Sequence, residues 1–136
     1  MKTLYIMRHA KSSWEFDLDD HKRPLNNRGL RDADLIGKKL KSLIKPIDKV
    51  LSSDAERAKI TAKIILDNLD MDESLFSLES KLYDFNGHQV IEVIKNCTND
   101  IEILLIFGHN HALTSLVNLY GNIVIDNLPT AGFVGI

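Results

Sequence analysis

Two histidines and two arginines lie where predicted strands end or where a predicted helix begins. His9 follows Arg8 after an apolar run over residues 3–7, and His109 follows a second apolar run. Arg57 falls in the first turn of a predicted helix. A guanidinium group presents a fixed fork of donors that matches phosphate oxygens, and an imidazole can act as a nucleophile or a proton carrier. These residue types are those of a site for a phosphoryl group.

Each of these residues also has an ordinary structural explanation. A single histidine at a strand end is more often structural than catalytic, and Arg57 has Asp54 and Glu56 nearby to pair with. Arg8 can pair with an acid of the polar segment that follows it. Their joint placement favours a shared site. On physical grounds it indicates an anion site and leaves open whether that site is catalytic.

An alternation of strands and helices accounts for this placement. Buried strands are predicted over 3–7, 48–53 and 101–109, a further strand is predicted in the tail 131–136, and residues 75–83 are expected to be extended. The polar stretch up to Asn26, which contains EFDLDD and HKRPLNN, is predicted to be a long loop. A loop of that length inside a compact domain is usually functional or mobile.

Four helices are predicted between the strands. The first is capped by Asn26 or Asn27 and ends before Pro46, and the second is capped by Asp54. The residues expected to face inward are Leu30, Ala33, Gly37, Leu40 and Ile44 in the first helix, Ala55, Ala58, Ala62, Ile65 and Leu69 in the second, Val90, Val93 or Ile94, and Cys97 in the third, and Leu113, Leu116, Val117 and Tyr120 in the fourth.

This pattern indicates an α/β fold, a three-layer sandwich with a largely parallel central sheet flanked by helices. In open sheets of this kind, ligands bind outside the carboxyl ends of the strands. The two histidines and two arginines are therefore predicted to gather at one edge of the sheet. The helix that begins after Asp54 would add backbone N–H groups and a partial positive charge there.

The composition narrows the class of protein. The length of 136 residues fits one domain over 1–136, and the net charge of −2 argues against binding to nucleic acid or to an anionic membrane. The single Cys97 excludes an internal disulfide and fits a reducing compartment. Without a long apolar segment, neither a signal peptide nor a membrane span is predicted, and we expect a cytoplasmic monomer. Because the strand-like tail stops abruptly at Ile136, we expect that the natural chain continues or that its last part is not represented here.

Several motifs occur in a defined order: MRHA after the first strand, SSDAERAKITA in the middle and FGHN after the late strand. Together they resemble the histidine phosphatase superfamily, also called phosphoglycerate mutase-like. RHAKSSW, followed by KRPLNNRGLRDA, resembles more specifically the SixA-type phosphohistidine phosphatases. The similarity spans essentially the whole chain, and the ordered set is far more specific than any one segment.

The resemblance implies a phosphoglycerate mutase-like fold and a phosphatase with a covalent phosphohistidine intermediate. His9 is implied to be the nucleophile, and Arg8, Arg57 and His109 are implied to hold the phosphoryl oxygens and to take part in catalysis. The implied substrate is phosphohistidine on a partner protein, and neither a metal nor another cofactor is expected. Neighbouring positive charges should keep the His9 imidazole neutral, which is its nucleophilic form.

The chain departs from the superfamily pattern in two places. Ala10 replaces the glycine that usually follows the nucleophile, a change that SixA-type relatives tolerate. Ser80 stands where many members carry a glutamate three residues before a tyrosine, here Tyr83, so the candidates for a general acid are Glu79 and Asp84, and neither matches cleanly. A phosphohistidine needs less protonation of its leaving group than an alkyl phosphate does, so this departure favours an activated substrate.

Three other interpretations are open. A broad phosphatase for small phosphate esters would use the same residues, although this short chain lacks the insertions with which larger relatives cover a substrate. A non-catalytic phosphate-binding module would not require a nucleophilic imidazole. A metal site at His109 and His111 is disfavoured, because a helix that opens between them would turn the two imidazoles apart. His21 and His88 lie in polar surroundings and are expected to be exposed to solvent.

Overall fold

The computed structural model describes residues 2–136, which form one sheet and the helices around it. The strands are β1 (Thr3–Arg8), β2 (Lys49–Ser52), β3 (Phe76–Leu78), β4 (Ile103–Gly108) and β5 (Phe133–Gly135). The helices are α1 (Asn27–Leu40), α2 (Glu56–Asn68), α3 (His88–Lys95) and α4 (Ala112–Tyr120). Short 3-10 turns cover Asp20–Lys22, Glu73–Leu75 and Ser80–Leu82.

The sheet has the strand order β3-β2-β4-β1-β5. The first four strands in that order are parallel to their neighbours, whereas β5 runs antiparallel to β1. The apolar run at 101–109 forms β4, which occupies the centre of the sheet, as its nearly unbroken hydrophobicity predicts. The predicted α/β sandwich with a largely parallel sheet is confirmed.

Alternate residues of each strand pack on opposite faces of the sheet. On one face the strands bury Met7, Val50 and Phe107 in a cluster that includes side chains of α1 and α2. On the other face Ile6 and Ile106 belong to a second cluster, with side chains of α3 and α4. These two apolar layers hold the strands rigidly and thereby fix what stands at the strand ends.

The first helix differs in part from its prediction. Asn26 is the N-cap residue, and its side chain accepts a hydrogen bond from Gly29 N at 2.8 Å. Leu30, predicted to face inward, is 42% exposed, and Gly29 is buried in its place. A Cβ at Gly29 would collide with the backbone of Lys11, so the helix is set by the close approach of its first turn to the loop after β1. The helix ends at Leu40, well before Pro46.

The start of α2 also differs. The helix begins at Glu56, and the preceding Ala55 N–H donates to Ser53 Oγ at 3.2 Å. Asp54 instead lies 2.9 Å from Nε2 of His21. The predicted cap at Asp54 is therefore wrong: the N-cap residue is Ala55, no side chain caps the helix, and the Asp54 carboxylate turns toward the loop.

Two smaller predictions need correction. Only Phe76–Leu78 of the stretch predicted to be extended is a strand, since a 3-10 turn follows at once. Tyr120 lies at the end of α4 and is 47% exposed, so it does not join the buried face of that helix. Among residues 2–136, no helix combines the length and the apolar character that crossing a membrane requires.

Candidate active site

The two histidines of the predicted site meet where β1 and β4 end side by side. Arg8 pairs in register with Gly108, and the His9 N–H donates to the Gly108 carbonyl at 3.2 Å. The ring centroids of His9 and His109 are therefore only 5.2 Å apart. Both side chains are buried. Parallel pairing of two strands thus brings together residues that are a hundred positions apart in sequence.

The two arginines approach this pair from different elements. Arg57 projects from the first turn of α2 and is buried, and Arg8 is half-buried at the end of β1, where its Nη1 donates to the Leu128 carbonyl at 2.9 Å. Burial lowers the pKa of His9, and the positive charges of both arginines lower it further. The structure therefore brings together all four residues that the sequence predicts for the site.

One tautomer of His9 is fixed by its own neighbour. Nδ1 of His9 lies 2.7 Å from the Ala10 carbonyl oxygen, and because a carbonyl only accepts, Nδ1 must carry the proton. Burial lowers the pKa of His9 to about 4; the bond to Ala10 opposes this in part, and the charges of Arg57 and Arg8 lower the pKa further. The imidazole is therefore neutral near pH 7, and Nε2 holds the free lone pair.

The backbone around His9 is tied to α2. The Ala10 N–H donates to Thr61 Oγ1 at 3.0 Å, and that hydroxyl donates to the Arg57 carbonyl at 2.7 Å. Thr61 is fully buried, so water does not compete for these bonds. A single threonine therefore fixes the position of His9 relative to the turn that carries Arg57.

His109 is oriented by Ser53. Its Nε2 lies 2.8 Å from Ser53 Oγ, which already accepts a hydrogen bond from Ala55 N. Because Ser53 Oγ already accepts from Ala55 N, its hydroxyl can donate its proton to Nε2, and the His109 proton then resides on Nδ1. Burial, followed by the nearby His9 and Arg57, lowers the pKa of His109 to about 2, so its ring is neutral.

Three buried nitrogens of the site find no hydrogen-bond partner among residues 2–136. They are Nε of Arg8, Nε of Arg57 and Nδ1 of His109. Buried polar atoms are almost always paired in folded proteins, since an unpaired one costs about 1–3 kcal/mol. Such a concentration of unpaired nitrogens, two of them within guanidinium groups, suits an oxyanion, which offers only acceptors.

An unpredicted carboxylate occupies part of the Arg57 fork. Nη2 of Arg57 donates to Asp20 Oδ2 at 2.9 Å, and Nη1 donates to the backbone carbonyl of the same residue at 2.6 Å. The hydroxyl of Tyr83 donates to Oδ2 at 2.6 Å, and Nε of Arg23 donates to Oδ1 at 3.2 Å. Burial raises the pKa of Asp20, but the bonds from Tyr83, Arg57 and Arg23 outweigh it and bring the pKa to about 2.

Asp20 and Arg23 belong to the long polar loop between β1 and α1. The loop folds back on itself, with Ser13 N donating to the Pro24 carbonyl at 2.8 Å and Asn26 N donating to the Lys11 carbonyl at 3.0 Å. Arg23 is buried inside it and donates to Ser12 Oγ at 2.8 Å. The only sequence signal for their position was the unusual length of the loop, which has no periodic pattern.

Aromatic rings close the other side of the pocket. Tyr83 and Phe85 each lie 5.2 Å from the His109 ring, measured between centroids. The His21 ring packs against Tyr83 with 4.9 Å between ring centroids and is hydrogen-bonded to Asp54, yet its side chain is 41% exposed, so the predicted exposure holds in part. His88 is exposed, as predicted.

Neither predicted candidate for the general acid joins this cluster. The Asp84 carboxylate is buried and accepts backbone N–H bonds from Asn86, Gly87, Gln89 and Val90 at 3.0–3.2 Å. It therefore anchors the turn that leads into α3. Glu79 precedes the 3-10 turn Ser80–Leu82 and accepts from Lys81 N at 3.2 Å. Both carboxylates serve local backbone structure.

His111 does not share the pocket with His109. It precedes α4 and is exposed, whereas His109 is fully buried. Over residues 2–136, the structure contains no group of three histidine, cysteine or acidic side chains arranged to hold a metal ion.

Comparisons with known proteins give consistent results. The model of the histidine phosphatase superfamily (branch 1) matches residues 4–86. An uncharacterised protein of Mycobacterium tuberculosis is 32% identical over 136 residues, covering 93% of this chain and 83% of that protein. Two solved structures superpose closely. The candidate phosphohistidine phosphatase SixA from Agrobacterium tumefaciens has a TM-score of 0.86 at 21% identity, over 98% of this chain and 89% of that chain. The protein histidine phosphatase SixA complexed with tungstate has a TM-score of 0.85 at 23% identity, over 98% and 86% of the two chains.

Proposed function

Because the chain belongs to the histidine phosphatase superfamily (branch 1), we propose that it removes a phosphoryl group from phosphohistidine on a partner protein through a covalent intermediate at His9. The observation that carries this proposal is the state of His9. Its Nδ1 proton is held by the Ala10 carbonyl, its pKa is lowered to about 4, and its Nε2 lone pair is free beside two guanidinium groups. A neutral, oriented imidazole next to an anion site is what nucleophilic attack on phosphorus requires.

In the first step, Nε2 of His9 attacks phosphorus. The new bond from phosphorus to Nε2 forms as the bond from phosphorus to the imidazole nitrogen of the substrate breaks. The substrate imidazole, protonated beforehand on its other ring nitrogen, leaves as a neutral ring. Arg8 and Arg57 neutralise the charge on the equatorial oxygens of the phosphoryl group. Nδ1–H of His109 is a further donor, since the bond of Nε2 to Ser53 leaves Nδ1 unpaired within the protein.

In the second step, a water molecule attacks phosphorus and the bond to Nε2 breaks. Inorganic phosphate leaves, and His9 recovers its lone pair. The hydrogen bond from Nδ1 to Ala10 is present throughout, so the ring keeps its orientation between the two steps.

Substrate entry requires an exchange at Arg57. The N–H groups that donate to Asp20 cannot at the same time be fully used by phosphoryl oxygens. We infer that a phosphoryl group displaces the Asp20 carboxylate, which carries the same sign of charge and is 45% exposed at its side chain. The similar SixA structure is complexed with tungstate, an oxyanion, which supports anion binding by this fold.

The disposition of the acids supports an activated substrate. Glu79 and Asp84 are committed to backbone N–H groups, so neither is available to protonate a poor leaving group. The imidazole of phosphohistidine is readily protonated near neutral pH and needs less assistance than an alkoxide does. A phosphorylated side chain on a protein therefore fits this site better than a sugar phosphate.

Asp20 favours a second candidate function, the hydrolysis of small phosphate esters. Its carboxylate borders the pocket and is partly exposed, and the bonds from Tyr83 and Arg57 help to hold its pKa near 2. In this candidate function the phosphoryl group displaces it from Arg57, which lets the carboxyl take up a proton and pass it to the leaving oxygen. In that case Asp20→Asn would slow alkyl phosphates far more than phosphoramidates.

The decisive experiment offers both substrate types to one preparation. We expect kcat/KM for a phosphohistidine-bearing domain to exceed that for alkyl phosphates by at least about 10², the usual contribution of a positioned acid. Among aryl phosphates, the rate should rise steeply as the phenol becomes more acidic, and Glu79→Gln should not alter that slope. Equal rates for alkyl and activated substrates would favour the ester function instead.

A further inference from the structure

An alternation of apolar and acidic residues forms the outer part of the active-site loop. Trp14, Phe16 and Leu18 are 76%, 55% and 45% exposed. Glu15, Asp17 and Asp19 lie between and after them and are also exposed. Single exposed apolar side chains are common on protein surfaces, but three within five residues of one loop are not.

Trp14 is held rigidly although it is exposed. Its ring lies over the guanidinium of Arg23, with 3.5 Å between the ring centroid and Cζ. Arg23 in turn is buried and hydrogen-bonded to Ser12, Ser13 and Asp20. Its guanidinium is therefore a fixed platform for the Trp14 ring. A large ring fixed on one face and open on the other loses little conformational entropy when a partner covers it.

A second exposed aromatic ring borders the pocket on the side of His109. Phe85 is 47% exposed, and its ring lies 5.2 Å from those of both His109 and Tyr83. Trp14 stands beside Arg23, which contacts Asp20 and through it Arg57. Exposed aromatic rings therefore lie on the His109 side of the pocket and on its Arg57 side. We call Trp14, Phe16 and Phe85 the aromatic rim.

We propose that the aromatic rim, with the acidic side chains of its loop, is the docking surface for a folded protein domain whose phosphorylated histidine lies in an apolar patch flanked by lysine or arginine. The proposal rests on the proposed function. The pocket would take the phosphoryl group, the rim would cover the apolar patch, and Glu15, Asp17 and Asp19 would face the basic flanks. The same acidic residues repel the anionic surface of a membrane, which excludes lipid as the occupant of this surface.

The test compares two substrates that share the phosphohistidine and differ in the surface around it. One is a folded domain with the stated patch, phosphorylated on its histidine with phosphoramidate, and the other is a short phosphohistidine peptide. Phe16→Ala, and separately Asp17→Lys, should lower kcat/KM about tenfold for the domain and less than twofold for the peptide. The control variant is Ile123→Ala, which removes a side chain that is 71% exposed in a groove shared with Ile136. Ile136 bonds to Leu4 near the start of β1, so this groove lies at the opposite edge of the sheet, and both substrates should be unaffected.

Several results would overturn the proposal. If Phe16→Ala and Asp17→Lys both leave the domain within twofold of the parent rate, the rim does not bind the partner. If they slow the peptide as much as the domain, they act on the pocket and not on docking. Binding of the parent chain to phosphatidylglycerol vesicles, lost in Phe16→Ala, would assign the surface to a membrane. If the parent does not act on either phosphohistidine substrate but hydrolyses aryl phosphates, the proposed function fails as well, a result distinct from the others.

Discussion

Replacing Asp20 with asparagine should make the enzyme bind phosphate more tightly, although Asp20 is itself an active-site residue. The carboxylate holds Arg57 through a charged bond of 2.9 Å and is itself held by Tyr83 at 2.6 Å and Arg23 at 3.2 Å. An incoming phosphoryl group must break the first of these bonds before it can use the fork. Asparagine keeps the size and an acceptor oxygen but removes the negative charge.

The size of the effect follows from these contacts. A hydrogen bond between charged groups contributes about 1.5–3 kcal/mol, and partial exposure of Asp20 reduces this to about 1 kcal/mol. The inhibition constant of phosphate or orthovanadate should therefore fall about fivefold. Because the pKa of Asp20 is about 2, its carboxylate stays charged from pH 5 to 9, and the effect should not depend on pH in that range.

The assay is competitive inhibition by orthovanadate, a mimic of the phosphoryl transition state, at low ionic strength. Asp19→Asn is the matched control, since it removes the same charge from the adjacent exposed residue, whose side chain does not cap the following turn. It should change the inhibition constant less than twofold. Unchanged or weaker inhibition of Asp20→Asn would refute competition and show that Asp20 serves to position Arg57.

Three further outcomes are expected. Arg57→Lys should only partly restore the vanadate binding that Arg57→Ala loses, because a point charge cannot replace a fork, and full activity of the lysine variant would contradict this. Ser53→Ala should lower kcat about tenfold without unfolding the protein, because His109 loses the hydroxyl that donates to its Nε2. Nitrogen NMR should then show His109 in a mixture of tautomers, and an unchanged spectrum would refute this role of Ser53. The free energy of unfolding, from urea titrations, should be lower at pH 5 than at pH 7 by about 2 kcal/mol for each of His9 and His109. In the unfolded chain both histidines take up protons below about pH 6.5, whereas in the native state, with pKa values of about 4 and 2, they stay neutral at pH 5. The free energy of unfolding therefore falls as the pH falls, and a free energy that does not change with pH would contradict the lowered pKa values.

The core of the site could be predicted because it depends on regular structure. Arg8, His9 and His109 stand directly at the ends of two apolar runs, and parallel pairing of β1 and β4 places such ends together. Arg57 follows from the helix after β2 by the same reasoning. The periodicity of the apolar residues determines how helices pack on the two faces of the sheet. This packing in turn fixes the edge of the sheet at which the polar residues meet.

The parts that were missed depend on irregular backbone. Asp20 reaches Arg57 through a loop that folds back on itself, and no period in the sequence encodes that path. Ser53 and Asp54 are both residue types that cap helices, yet neither caps α2, because their side chains bond to His109 and His21 instead. Asp84 shows the same limit, since a carboxylate that caps a turn and one that donates a proton are indistinguishable in sequence.

The covalent intermediate is the central claim, and its direct test is to trap it. The chain is mixed with phosphoramidate for a fraction of one turnover and quenched in alkali, in which phosphohistidine survives, and the modified residue is located by mass spectrometry. We expect up to one phosphoryl group per chain, on Nε2 of His9, and neither label nor turnover above about one per cent in a folded His9→Ala variant. Turnover by the parent without a phosphorylated His9, or a label on any other residue, would contradict the account.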